Sequence, residues 1–161
     1  MTFDQFVIAR GRPLWRAAYL LTGDRHKAED LVQTALTKTY PKYQSNDAMF
    51  EGYVRTTMYH TYISWWRRRW NAETPTETLP ESRSYVADPD QGISVDVLRA
   101  LATLPKMQRA VLVLRFFEDR PVAEVADLLG ITEGTVKSHA SRGCAALRNS
   151  VHLTQPKEAV S

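Results

Sequence analysis

The sequence predicts an all-α protein of two small helical domains joined by a flexible acidic linker. Three observations predict it. Apolar residues recur at three- and four-residue spacing through most of the chain on both sides of a central interruption, the period of helices with one buried face. The interruption, Asn71 to Asp96, is dominated by proline, threonine, serine and acids, and its Leu79, Tyr85, Val86 and Ile93 are too sparse to make a core. The third is Pro121 to Arg148, PVAEVADLLGITEGTVKSHASRGCAALR, which has the pattern of a helix-turn-helix. The expected organisation is therefore a domain over residues 1–70, a linker over 71–93, a second domain over 94–150 and a disordered tail over 151–161.

The first helix is expected from Phe3 through Phe6, Val7, Leu14, Ala18 and Leu21 to Thr22-Gly23, with Gly11 and Pro13 placed to break it early. Asp24 is the expected N-cap of a second helix, whose apolar stripe is Ala28, Leu31, Val32, Ala35, Leu36 and Tyr40. Its other face carries Glu29, Asp30, Gln33, Thr34, Thr37 and Lys38, which by pattern alone is an ordinary solvated face. Pro41 ends it, and Tyr43 to Met49 reads as a polar loop.

A long third helix runs from Phe50 or Glu51 to about Trp70. Phe50, Val54, Met58, Thr61 or Tyr62, and Trp65 form its inner stripe, with Arg55, Tyr59, Trp66 and Arg67 to Arg69 towards the other side. Aromatics interleaved with arginines suit the stacking of unpaired bases and the neutralising of adjacent phosphates. Such a cluster also suits a membrane interface, but no acylation motif or long amphipathic repeat accompanies it.

The 26 residues from Asn71 to Asp96 could span on the order of 85 Å when extended, at about 3.3 Å each. That reach exceeds the roughly 50 to 70 Å of one and a half to two duplex turns. After it, Ser94 or Asp96 caps a helix through Val97, Leu98, Leu101 and Leu104. Pro105 opens another, with Met107, Val111, Leu114 and Phe117 as its buried stripe, and Glu118 to Pro121 makes the turn into the helix-turn-helix.

Within that motif Val122, Val125, Ala126 and Leu129 give the first helix an apolar face, and Gly130 suits the left-handed turn that ends it. Thr132 is the expected N-cap of the second helix, and Val136, Ala140, Cys144 and Leu147 are its inner stripe. The outer face has Glu133, Thr135, Lys137, Ser138, His139, Ser141 and Arg142. These short hydrogen-bonding groups and cations suit base edges and phosphates in a major groove.

Charge distribution agrees with two nucleic-acid-facing domains. Residues 1–70 hold 11 Lys/Arg against 6 Asp/Glu, residues 71–96 hold 1 against 6, and residues 97–161 hold 9 against 6. Cys144 is the only cysteine, which excludes an internal disulfide or zinc cluster and suits a reducing cytoplasm. No secretory signal or apolar transmembrane run is found. The four histidines are scattered, no phosphate-cradling glycine loop occurs, and the adjacent acid pairs Glu29-Asp30 and Glu118-Asp119 point apart on a helix. The expectation is a protein with no cofactor, no metal and no catalysis, monomeric when free, cytoplasmic and not bound to membrane.

Four segments in order, AEDLVQTAL at Ala28 to Leu36, ISWWRRRW at Ile63 to Trp70, LATLPKMQRAVLVLRFFED at Leu101 to Asp119 and EVADLLGITEGTVKSHASRGCAAL at Glu124 to Leu147, resemble the bacterial extracytoplasmic-function (ECF) sigma factors. The likeness is to their SigE-like subfamily and spans about Phe3 to Arg148. It implies a promoter-recognition subunit of RNA polymerase with a region 2 and a region 4 domain.

By that resemblance Asp30, Gln33, Thr34 and Thr37 would dock on core polymerase. Ser45, Asn46, Asp47, Ala48 and Met49 would hold a flipped base. Tyr59, His60, Ile63, Ser64, Trp66, Arg67 and Arg68 would face and open the −10 element. The helix from Glu133 would enter the −35 element, with Arg109 and Arg115 as phosphate or packing residues nearby. An anti-sigma factor is a further implied partner. His60, Thr34 and Ala140 depart from common family residues. Two other readings stay open: a dimeric one-component repressor or activator using the same helix-turn-helix, and an interaction adaptor that does not bind DNA.

Overall fold

The structure, a computed structural model, describes residues 2–44, 47–72 and 93–150. It divides into two compact units, one holding the described residues up to Ala72 and the other those from Ile93. Among them the chain forms seven α-helices, so both expected helical bodies are present. Most of the expected linker, and the tail beyond Ser150, lie outside the described residues.

In the first unit, α1 (Phe3–Thr22) begins with a capping box: Gln5 N–H donates to the Thr2 hydroxyl, and Thr2 N–H to the Gln5 side chain. Gly11 and Pro13 do not break it. Pro13 is exposed and the helix runs through it, because Phe6, Leu14, Ala17, Ala18 and Leu20 bury one continuous face and outweigh a missing backbone bond on the solvent side. Gly23, at φ 70°, takes the left-handed turn that reverses the chain.

Asp24 then caps α2 (Arg25–Thr39), its carboxylate accepting from Lys27 N–H at 2.9 Å. Tyr40 does not extend the inner stripe. Pro41 draws Tyr40–Lys42 into a 3-10 turn, and the Tyr40 side chain stays 57% exposed.

α3 (Asp47–Ala72) starts earlier than expected, so Asp47, Ala48 and Met49 belong to its first turn rather than to a loop. Ala and Met are good helix formers, and continuing the helix backwards satisfies backbone groups that a loop would leave open. α1 packs on α2 and α2 on α3, while α3 also touches α1. With two neighbours, α3 buries a wide arc. Phe50, Val54, Met58, Thr61 and Tyr62 are in the core, joined by Tyr59 at 1% exposure and Ile63 at 5%. Trp65, expected inside, is half-buried, whereas Tyr59, expected on the outer side, is one of the largest fully buried residues.

Polar links cross the helices. Tyr62 donates its hydroxyl to Leu21 O (3.2 Å), and Lys38 Nζ donates to Thr61 Oγ1 (3.3 Å). Glu51 meets Arg10 Nε at 3.4 Å and Arg55 Nη2 at 3.1 Å, joining α1 to α3.

In the second unit Ser94 caps α4 (Val95–Ala102), which buries Leu98, Ala100 and Leu101. Pro105 opens α5 (Lys106–Leu112), which widens into a π-helical turn over Val113–Phe117. Burial is therefore unbroken from Arg109 to Leu114, in place of the expected stripe, and Met107 and Phe117 are only half-buried. The turn closes with Glu118 N–H on Val113 O and Arg120 N–H on Leu114 O, across an Asp119 at φ 56°.

α6 (Val122–Leu129) and α7 (Glu133–Arg148) follow. α7 packs against both α5 and α6. Its buried residues are Val136 and Gly143, while Ala140, Cys144 and Leu147 are half-buried. A side chain as small as hydrogen lets α7 lie close on α5, which moves the line of contact to Gly143 and off the expected stripe.

Candidate nucleic-acid interface

The interface on the second unit is built by the turn between α6 and α7. Gly130, at φ 69°, stops α6, with its N–H and that of Ile131 both on Ala126 O. Thr132 then starts α7: its hydroxyl accepts from Thr135 N–H at 3.1 Å and pairs with the Thr135 hydroxyl at 2.9 Å. The Thr135 hydroxyl is thus engaged in the cap. With Val136 and Gly143 turned inward, Glu133, Lys137, Ser138, Ser141 and Arg142 are exposed and His139 is half-buried. Two cations and two hydroxyls share the outer face of a helix whose N-terminus carries partial positive charge, an arrangement able to bind phosphate and hydrogen-bond base edges.

Burial, followed by repulsion from the Arg142 guanidinium, pulls the His139 pKa below its ordinary value. Arg109 is only 8% exposed, on the helix α5 that packs against α7. Arg115 donates from Nη1 to Arg120 O at 3.0 Å and lies over the Phe116 ring, which ties down the turn ahead of α6.

On the first unit the long α3 presents a second face. His60, Ser64, Arg67 and Arg68 fall at four- and three-residue steps and are all exposed, with half-buried Trp65 and Trp66 beside them. Tyr59 and Ile63, expected on this face, are in the core, so they hold α3 in place instead of lining its surface. Of the expected base-holding group, Ala48 and Met49 are exposed in the first turn of α3, Met49 at 72%, and Ser45 and Asn46 lie outside the described residues. On α2, Asp30, Gln33 and Thr37 are exposed and Thr34 is half-buried; Gln33 donates to Glu29 at 3.3 Å.

Sequence reasoning missed the aromatic cluster that positions the start of α3. Phe3 meets Tyr40, Tyr43 and Phe50 edge to ring at centroid distances of 4.7, 5.7 and 6.1 Å, and Tyr43 meets Phe50 at 4.9 Å. Edge-to-face contacts of this kind add about 0.5–1.5 kcal/mol each beyond burial. They clamp the two sides of the α2–α3 connection to the first turn of α1. The only signal in the sequence is aromatic residues at three separate helix ends, and periodicity cannot pair those.

Among the described residues no group of three metal-binding side chains occurs, and no helix is long and apolar enough to cross a membrane.

Comparison with known proteins covers both units. The family model for sigma-70 region 2 matches residues 6–72, and that for sigma-70 region 4 matches residues 94–147. The RNA polymerase sigma-E factor of Streptomyces coelicolor is 40% identical over 153 residues, covering 92% of this chain and 85% of the relative. The ECF RNA polymerase sigma factor SigM of Mycobacterium tuberculosis is 30% identical over 148 residues, covering 90% of this chain and 74% of the relative. Among solved structures, the sigma factor RpoE in complex with the anti-sigma factor NepR from Bartonella quintana matches with a TM-score of 0.63 at 23% identity. It covers 95% of this chain and 98% of that one, a likeness of fold.

Proposed function

We propose, for a chain that belongs to the sigma-70 family as an ECF RNA polymerase sigma factor, a division of labour among three surfaces. α7 reads the −35 element, the exposed stripe of α3 holds and opens the −10 element, and the polar face of α2 docks on core polymerase. The observation that carries the reading is the outer face of α7. Lys137, Ser138, Ser141 and Arg142 are all exposed on one side of a helix whose opposite side is seated by Val136 and Gly143.

On α3, His60, Ser64, Arg67 and Arg68 take the strand backbone while Trp66 offers a ring face to an unpaired base. A base expelled from its stack and held on an aromatic recovers about 1–3 kcal/mol, so strand opening proceeds by capture without a chemical step. Tyr59 and Ile63 serve by fixing the helix. Asp30, Gln33, Thr34 and Thr37 form the polymerase-facing patch, and Ser45 to Met49 the base-holding segment. The protein acts with the polymerase in the cytoplasm, as a non-enzymatic subunit without cofactor, and an anti-sigma factor that covers these faces would silence it.

Run-off transcription with core polymerase on genomic fragments tests this. Discrete transcripts that depend on the protein are expected, and their mapped starts give the promoter boxes. No transcripts, with a two-fold symmetric footprint from the protein alone, would favour a dimeric regulator. Transcripts that survive charge-neutral replacement of Lys137 and Arg142 would remove α7 from promoter recognition.

A further inference from the structure

His139 stands on the shoulder of α7, three residues after buried Val136, four before buried Gly143 and three before exposed Arg142. Its ring is half-buried, and Nδ1 is shut off from solvent with no hydrogen-bond partner. This placement decides which nitrogen carries the proton. A neutral imidazole has one N–H and one bare nitrogen. A buried N–H without an acceptor is the rarer orphan, and an under-satisfied acceptor the more tolerable one. The lone pair therefore belongs on Nδ1 and the proton on Nε2, the nitrogen farther from the backbone. A second proton would have to go on enclosed Nδ1, and this agrees with the lowered pKa caused first by burial and then by Arg142.

We propose that His139 is a specificity-determining donor, whose Nε2–H gives one hydrogen bond to an acceptor in the major groove of the −35 element. The acceptors available are guanine O6 and N7, adenine N7 and thymine O4, whereas cytosine shows only an amino donor there. His139 thus excludes cytosine at one position. This inference rests on the reading of α7 as the DNA-contacting helix. The neutral ring adds no charge for phosphate, a role left to the exposed cations Lys137 and Arg142. Its removal therefore relaxes sequence choice more than it weakens binding.

The test is selection from a duplex pool randomised over the −35 region, using holoenzyme assembled from core polymerase and the full chain. Wild-type protein is expected to deplete cytosine at one position by roughly tenfold. His139→Ala should lose that depletion while keeping preferences elsewhere, and His139→Gln, whose amide N–H2 reaches the place of Nε2, should restore it. His139→Asn should not restore it. Rescue by Asn and not by Gln would overturn the assignment of the outward nitrogen. Weaker binding of His139→Ala with no change at any position would make the acceptor a phosphate and overturn base reading. A wild-type pool with no enriched −35 sequence would instead refute the DNA-reading role of α7.

Discussion

A Cβ placed on Gly143 would lie 2.9 Å from Leu112 Cδ1 and 3.0 Å from its Cγ. Leu112 is itself 1% exposed, so the leucine has no open space to turn into. At this glycine α7 lies directly against α5. Gly143→Ala should destabilise the second unit by about 1–3 kcal/mol, the usual range for overpacking a core. All four tryptophans lie in residues 1–70. Thermal unfolding followed by circular dichroism should therefore shift while the tryptophan transition stays in place. Combined with Leu112→Ala, the double variant should lose less than the sum of the two single losses, and additive losses would show that the two side chains do not collide.

Glu51 bridges Arg10 of α1 and Arg55 of α3, with its side chain 21% exposed. Glu51→Ala leaves two cations facing each other without the shared anion. A loss of about 1 kcal/mol is expected, read this time in the tryptophan transition and little changed by salt up to the range that screens surface pairs.

Asp119 is the one non-glycine residue at positive φ among those described, in the αL position that closes the π-helical turn. Aspartate tolerates that region at a cost that glycine does not incur. Asp119→Gly should stabilise the second unit by about 0.5–1 kcal/mol, whereas Asp119→Val should destabilise it, both measured by chemical denaturation.

Trp66→Ala removes a stacking face from α3 and leaves the basic residues around it. Promoter opening, read by permanganate reactivity of unpaired thymines, should fall by about tenfold, while closed-complex binding by gel shift changes little. Equal losses in both assays would argue against a melting role for this side chain.

The lowered pKa of His139 makes stability depend on pH with a definite sign. Above the ordinary histidine value, about 6.5, both folded and unfolded chains hold a neutral ring and the residue contributes no slope. As pH falls through that value the unfolded chain takes up the proton first, so folding of the second unit is increasingly disfavoured. His139→Gln should flatten this part of a stability profile measured from pH 8 to 5.

Taken alone, the chain fixes the helical class, the two bodies, the caps at Asp24 and Thr132 and the turn at Gly130, and it narrows the cap of α4 to Ser94 or Asp96. Each rests on interactions within a few residues of chain, and their signals stay local. It also marked the outward row of α7, since alternation about a helix axis separates Lys137, Ser138, Ser141 and Arg142 from Val136. Contacts between elements are defined only in the folded molecule. Tyr59 and Ile63 are buried because α3 has two neighbours, and one period cannot report how many faces a helix buries. Gly143 became the seat of α7 because a leucine of α5, 31 residues earlier in the chain, fills the space a side chain would need. The Phe3, Tyr43 and Phe50 cluster likewise unites three chain segments through ring contacts. Packing between distant residues is set by shape and space, and those become defined only when the helices meet.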